Sequence, residues 1–156
     1  MLQFMVEKLS DQLSVHGVIT DIVLRSDHSL LAEEELQEVI ISFAASEEEN
    51  VPMASIHLFL MQEQGSCEVE VEVAYPGNLE EAQVVRQWER ARTMIPEISL
   101  TEKRRYLEPE KMAEASFLLD YHFVVEQPVT DDEEAQFAKT MEQFAKDLGK
   151  LVNIGE

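Results

Sequence analysis

Residues 52–77, PMASIHLFLMQEQGSCEVEVEVAYPG, constrain the fold more than any other stretch, because apolar residues alternate on both sides of Gln64-Gly65. Alternation with period two is the mark of strands, and a Gly-containing break between two such runs reads as a hairpin turn. A two-residue turn at Gln64-Gly65 and a four-residue loop from Glu63 to Ser66 both set Gln62 opposite Cys67. One face of the predicted hairpin then pairs Leu60 with Val69, Leu58 with Val71 and Ile56 with Val73, and must meet a core. The other face pairs Met61 with Glu68, Phe59 with Glu70 and His57 with Glu72. Its mixture of apolar groups and carboxylates suits solvent or a polar covering.

The flanking segments supply what such a hairpin needs. Leu2, Met5, Val6, Leu9 and Leu13 recur at helical spacing before Gly17, predicting a helix over 2–15 that stops at the glycine. Residues 18–25 read as a strand, followed by a polar stretch at 26–29. Residues 30–43 fit either period; the β-branched run Val39-Ile40-Ile41 favours a strand, and an acidic loop follows at 46–50. After Pro76-Gly77, Asn78 with Glu81 makes a capping pair for a helix ending at Pro96, whose expected buried stripe is Leu79, Ala82, Val85, Trp88, Ala91 and Ile95. Residues 98–107 and 113–126 read as strands around a turn at 108–110. In the second, Phe117, Leu119, Tyr121, Phe123 and Val125 share one face, with Leu118, Asp120, His122 and Val124 on the other. It is expected to lie beside the hairpin. Thr130 and Glu133 form a capping box for a last helix whose stripe is Phe137, Met141, Phe144, Leu148 and Leu151. The expected fold is one α+β domain over 1–156, an antiparallel sheet of about five to six strands with three helices mainly on one face.

Composition excludes more than it identifies. A net charge of -20 opposes general nucleic-acid binding and docking on anionic membranes, and favours basic or amphipathic partners. Seven of the 12 basic and seven of the 32 acidic residues fall within 80–111, leaving five basic against 25 acidic elsewhere. Such a charge-balanced, Arg-rich region on an acidic body can orient a partner or a second copy of the chain. Cys67 is the single cysteine, so no internal disulfide forms, and residues 1–16 lack the apolar core of a secretion signal; both lead to an expected cytoplasmic location.

The five glycines, at 17, 65, 77, 149 and 155, write no phosphate loop, and the histidines at 16, 28, 57 and 122 stand singly, so no cofactor and no metal site are expected. For acid/base chemistry the best candidate is His57 opposite Glu72, with Asp120 and His122 nearby. No nucleophile or oxyanion device accompanies it, and the chain is read as non-enzymatic.

In its order of helix, strands, hairpin, helix, two strands and helix, the chain resembles the small acidic chaperones of type III secretion and the related YbjN-type bacterial regulatory domains. The resemblance is carried by the hairpin IHLFLMQEQGSCEVEVEVAYP, the capped helix NLEEAQVVRQWERARTMIP, the strand ASFLLDYHFVVE and the helix after Thr130. It spans most of the chain, departs from a clean match over residues 30–43, and transfers no functional residue. It implies a non-enzymatic, often homodimeric bacterial protein that holds a polypeptide on its sheet and helix surfaces. The expected partner surface is His57, Phe59, Met61, Glu70, Glu72 and Leu118. The alternative is an immunity- or antitoxin-like inhibitor of a basic protein.

Overall fold

The computed structural model describes residues 2–27, 36–61, 65–76, 81–109 and 111–153. Nine elements follow one another among these residues: α1 (Leu2–His16), β1 (Val18–Asp27), β2 (Leu36–Ala44), β3 (Met53–Met61), β4 (Ser66–Tyr75), α2 (Glu81–Met94), β5 (Ser99–Glu108), β6 (Lys111–Glu126) and α3 (Asp131–Val152). The strands form one antiparallel sheet in the order β1-β2-β3-β4-β6-β5. Each strand pairs with its successor except at β4, where α2 carries the chain out to the edge strand β5 and β6 returns beside the hairpin. The ambiguous segment is a strand where it is described, with Val39, Ile41 and Phe43 pointing into the core.

One sheet face is covered by helices. Ala54, Ile56 and Leu58 of β3, Cys67, Val69, Val71, Val73 and Tyr75 of β4, and Leu119 and Tyr121 of β6 are buried there against Met5, Leu9 and Leu13 of α1 and the predicted stripe of α3. Each fully buried Leu, Ile or Val is worth about 1.5–3 kcal/mol relative to exposure, so this layer is the main source of stability. Phe144 meets the rings of Tyr121 and Phe123 at 6.4 and 5.3 Å, fastening α3 to β6. Helix α3 opens with its predicted capping box: Glu133 N–H donates to Thr130 Oγ1, and Thr130 N–H donates to the Glu133 carboxylate. The Val129 N–H, donating to the same carboxylate at 2.8 Å, and then the Thr130 N–H hold the Glu133 carboxyl below the ordinary carboxylate range.

Two expectations are corrected. The hairpin register is displaced by two residues: Leu60 pairs with Cys67, Leu58 with Val69, Ile56 with Val71 and His57 with Glu70, while Glu72 faces Ser55. Gly65, at φ 59°, takes the last position before β4, so Met61 already pairs with Ser66. Left-handed backbone at that position carries no Cβ penalty for glycine. A slip of two preserves which face each side chain occupies, which is why the core face was assigned correctly despite the wrong partners.

The buried face of α2 is also rotated. Val84, Gln87 and Ala91 are its buried residues, Ala82 and Val85 are exposed, and Trp88 is half-buried under the Arg92 guanidinium, 5.9 Å from the ring centre. The predicted cap at Asn78 and the stripe residue Leu79 lie outside the described residues. The rotation answers a polar demand: the Gln87 amide donates to the carbonyls of Lys150 (2.7 Å) and Leu151 (3.1 Å) at the end of α3. A helix's last carbonyls have no partner within the helix.

Helix α1 stops at Gly17 as expected, and the glycine does so without a positive φ. Its backbone presses on β2 instead, where an added Cβ would collide with Ala44 O and stand 2.7 Å from the Phe43 ring.

Candidate functional site

Among the described residues no helix covers the opposite face of the sheet, and His57, Phe59, Glu70, Glu72 and Leu118 of the predicted partner surface lie on it by strand alternation. Register fixes their arrangement. One row across the sheet reads Val23, Ile40, His57, Glu70, His122; the next reads Arg25, Glu38, Phe59, Glu68, Val124. On the other side of His57 run Asp21, Ser42, Ser55, Glu72, Asp120 and Ser99, then Met53, Ala74, Leu118 and Thr101. A band of carboxylates, Glu68, Glu70 and Glu72 on β4 with Asp120 on β6, therefore runs between apolar side chains, Phe59 and Met53 on β3 and Leu118 and Val124 on β6.

His57, Glu70, Glu72 and Leu118 are brought together around a shallow depression of about 430 Å³, with Thr101, Asp120 and His122 completing its polar rim. Glu70, Glu72, Asp120 and His122 are exposed, and Leu118 is half-buried. Phe59 lies beside it, half-buried, its ring stacked near the His57 imidazole at 6.2 Å. Met61 is at the end of β3 on the same strand face; its side chain lies outside the described residues.

One close polar contact on this face was not anticipated. His57 Nδ1 is 2.7 Å from Glu38 Oε1, within reach for Nδ1–H to donate, and Arg25 Nη1 is 3.9 Å from the other oxygen of the same carboxylate. Glu38 is buried, 7% exposed, which only a paired carboxylate tolerates. Arg25, Glu38 and His57 come from three successive strands, and Glu38 orients the ring that the sequence assigned to Glu72. Alternation in β2 puts Glu38 opposite in sense to Val39 and Ile41, so its face was legible once β2 was a strand. Its partners depend on the register set by the loop at 45–52 and on the irregularity in β1 between Ile19 and Asp21.

Chemically, the face offers hydrogen-bond acceptors, negative charge and apolar contact. The expected His57–Glu72 pair does not form. Among the described residues no three His, Cys, Asp or Glu side chains converge as a metal site, and no helix is long and apolar enough to cross a membrane. Cys67 is buried on the core face, and burial pushes its thiol up to about 11. The chain matches no family model, no curated protein and no solved structure.

Proposed function

We propose that the protein is a non-enzymatic, cytoplasmic polypeptide-binding module, chaperone-like or regulatory, that seats a basic amphipathic segment of a partner on the open face of its sheet. The observation that carries this proposal is the column of Glu68, Glu70 and Glu72, with Asp120, set between Phe59 and Met53 on one side and Leu118 and Val124 on the other, all on one face. Apolar side chains of the segment would cover Phe59 and Leu118 while its Lys and Arg meet the carboxylates, a pattern that gives both affinity and steering. The resemblance to polypeptide-holding chaperones points the same way.

Bait protein with Phe59→Ser and Leu118→Ser tests the proposal, with circular dichroism to verify the fold. Truncating a central apolar anchor costs about 1–2 kcal/mol, so the double variant should bind the captured partner at least tenfold more weakly. Undiminished capture by the folded variant, or cross-links that map to another surface, would overturn it. The charge of -20 favours a second reading, an inhibitor of a strongly basic protein. Binding abolished at high salt selects the inhibitor; binding that weakens with salt but persists through Phe59 and Leu118 selects the chaperone-like module. Homodimer formation is best supported at the edge strand β1, where Ile22, Val23 and Leu24 are exposed in succession.

A further inference from the structure

The sheet has two edges, and they differ in how they meet solvent. Strand β5 is exposed from Thr101 to Glu108 and carries Lys103, Arg104 and Arg105 in succession. Consecutive charges on an edge strand oppose its pairing with another strand. The register of β5 with β6 also shifts twice, after Arg105 and after Tyr106.

Strand β1 has no such guard at its centre. Ile22, Val23 and Leu24 are 47%, 44% and 65% exposed. Ile22 and Leu24 pair with Ile41 and Val39, so they stand on the core side of the sheet and yet remain open to solvent. The irregularity in the pairing with β2 falls between Ile19 and Asp21, and the ladder is regular from Asp21 onward. A regular apolar edge is a template for another strand.

The order of side chains specifies which strand. Asp21-Ile22-Val23-Leu24-Arg25 is its own complement about Val23. Antiparallel pairing of two copies sets Val23 against Val23, Ile22 against Leu24 and Asp21 against Arg25 of the partner subunit. Parallel pairing in register would set Asp21 against Asp21 and Arg25 against Arg25, and like charges directly opposite are destabilising. Arg25 keeps its contact with Glu38 of its own chain, 3.9 Å away, since a guanidinium has five N–H donors.

We propose that two copies of the chain join along β1 in this antiparallel register, centred on Val23, so that two six-stranded sheets become one. The two-fold axis then passes through Val23 normal to the sheet, which keeps the helices on one side and joins the two open faces on the other. This register rests on the reading of β1 as the dimer edge.

Sedimentation velocity of the full chain over a range of concentrations, at fixed ionic strength, tests it. The parent should show a monomer–dimer equilibrium. Val23→Lys sets two ammonium groups face to face at the axis and should weaken association at least about tenfold. Leu107→Lys, an equal charge change at the exposed end of β5, should leave it within about twofold. Asp21→Arg opposes two like charges at each end of the ladder and should also weaken it about tenfold, although lowering the net negative charge by itself favours association. If Val23→Lys is misfolded by circular dichroism, Asp21→Arg, at an exposed position, carries the test. For the register, Val23→Cys should form an inter-chain disulfide under mild oxidant, because directly opposed Cα atoms lie about 4.5–5.5 Å apart. Leu24→Cys, placed diagonally at about 7–8 Å, should cross-link several-fold more slowly, and Cys67 is buried away from the reaction. A chain monomeric at every concentration overturns both the register and the dimer reading. A dimer indifferent to V23K and D21R overturns β1 as its edge. A dimer that V23K disrupts, but in which L24C cross-links as fast as V23C, overturns the register alone.

Discussion

Replacing Tyr75 by Phe and Gln87 by Met, singly and together, tests how the end of α3 is held. Tyr75 is 1% exposed on the central strand β4, and its hydroxyl donates to Leu151 O at 2.6 Å. Burial pushes its phenol far above the ordinary range, the Gln87 amide pulling partly back, so it remains a donor at any working pH. In Tyr75→Phe, Leu151 O still receives the Gln87 amide, and the loss should be that of one net hydrogen bond, about 1 kcal/mol. Gln87→Met keeps the volume and leaves Leu151 O to Tyr75, but it strips Lys150 O of its donor, costing about 1–2 kcal/mol. In the double variant Leu151 O, buried at the core, loses both side-chain donors. The desolvation penalty of an orphaned carbonyl then appears in full, and destabilisation should exceed the sum of the singles by about 1 kcal/mol. Urea unfolding monitored by circular dichroism measures all three differences, and each kcal/mol corresponds to roughly 2–4 °C in Tm for a chain of this size. Strict additivity, or a Tyr75→Phe variant as stable as the parent, would refute the assignment of these side chains as the cap of α3.

Two further outcomes follow from close contacts and burial. Gly17→Ala should lower Tm by roughly 4–8 °C, because the new methyl collides with Ala44 O and the Phe43 ring, both fully buried, and this outweighs the smaller gain from restricting the unfolded chain; an unchanged Tm would contradict the packing. With its thiol raised to about 11, Cys67 should react with a disulfide reagent at pH 8 only as fast as the protein opens, and rapid labelling of folded protein would count against its burial. The same shift makes stability fall as pH rises from about 9 to 11, by up to about 2 kcal/mol, since the unfolded thiol ionises first; Cys67→Ala should remove that part of the slope in alkaline unfolding curves.

What local periodicity encodes was readable without coordinates. Strand alternation assigned Ile56, Leu58, Val69, Val71 and Val73 to the core and His57, Phe59, Glu70, Glu72 and Leu118 to the other face, because side-chain direction depends only on position along the strand. The 3,4 spacing of Phe137 to Leu151 and the Thr130 to Glu133 box likewise fixed α3, its buried stripe and its start. Contacts between distant segments were not readable. His57 is held by Glu38 because loop geometry set the strand register. Gln87, a polar residue, faces inward on α2 because the carbonyls of residues 150 and 151 need a donor.

The hairpin at 52–77 therefore determined by itself that the chain builds an antiparallel sheet with one apolar face, since burial of alternate side chains requires it. Tertiary structure alone decided which residues meet across that sheet, and which strands stand at its edges. Those choices rest on loop closure, helix rotation and the close approach allowed at Gly17, none of which leaves a periodic trace in the chain.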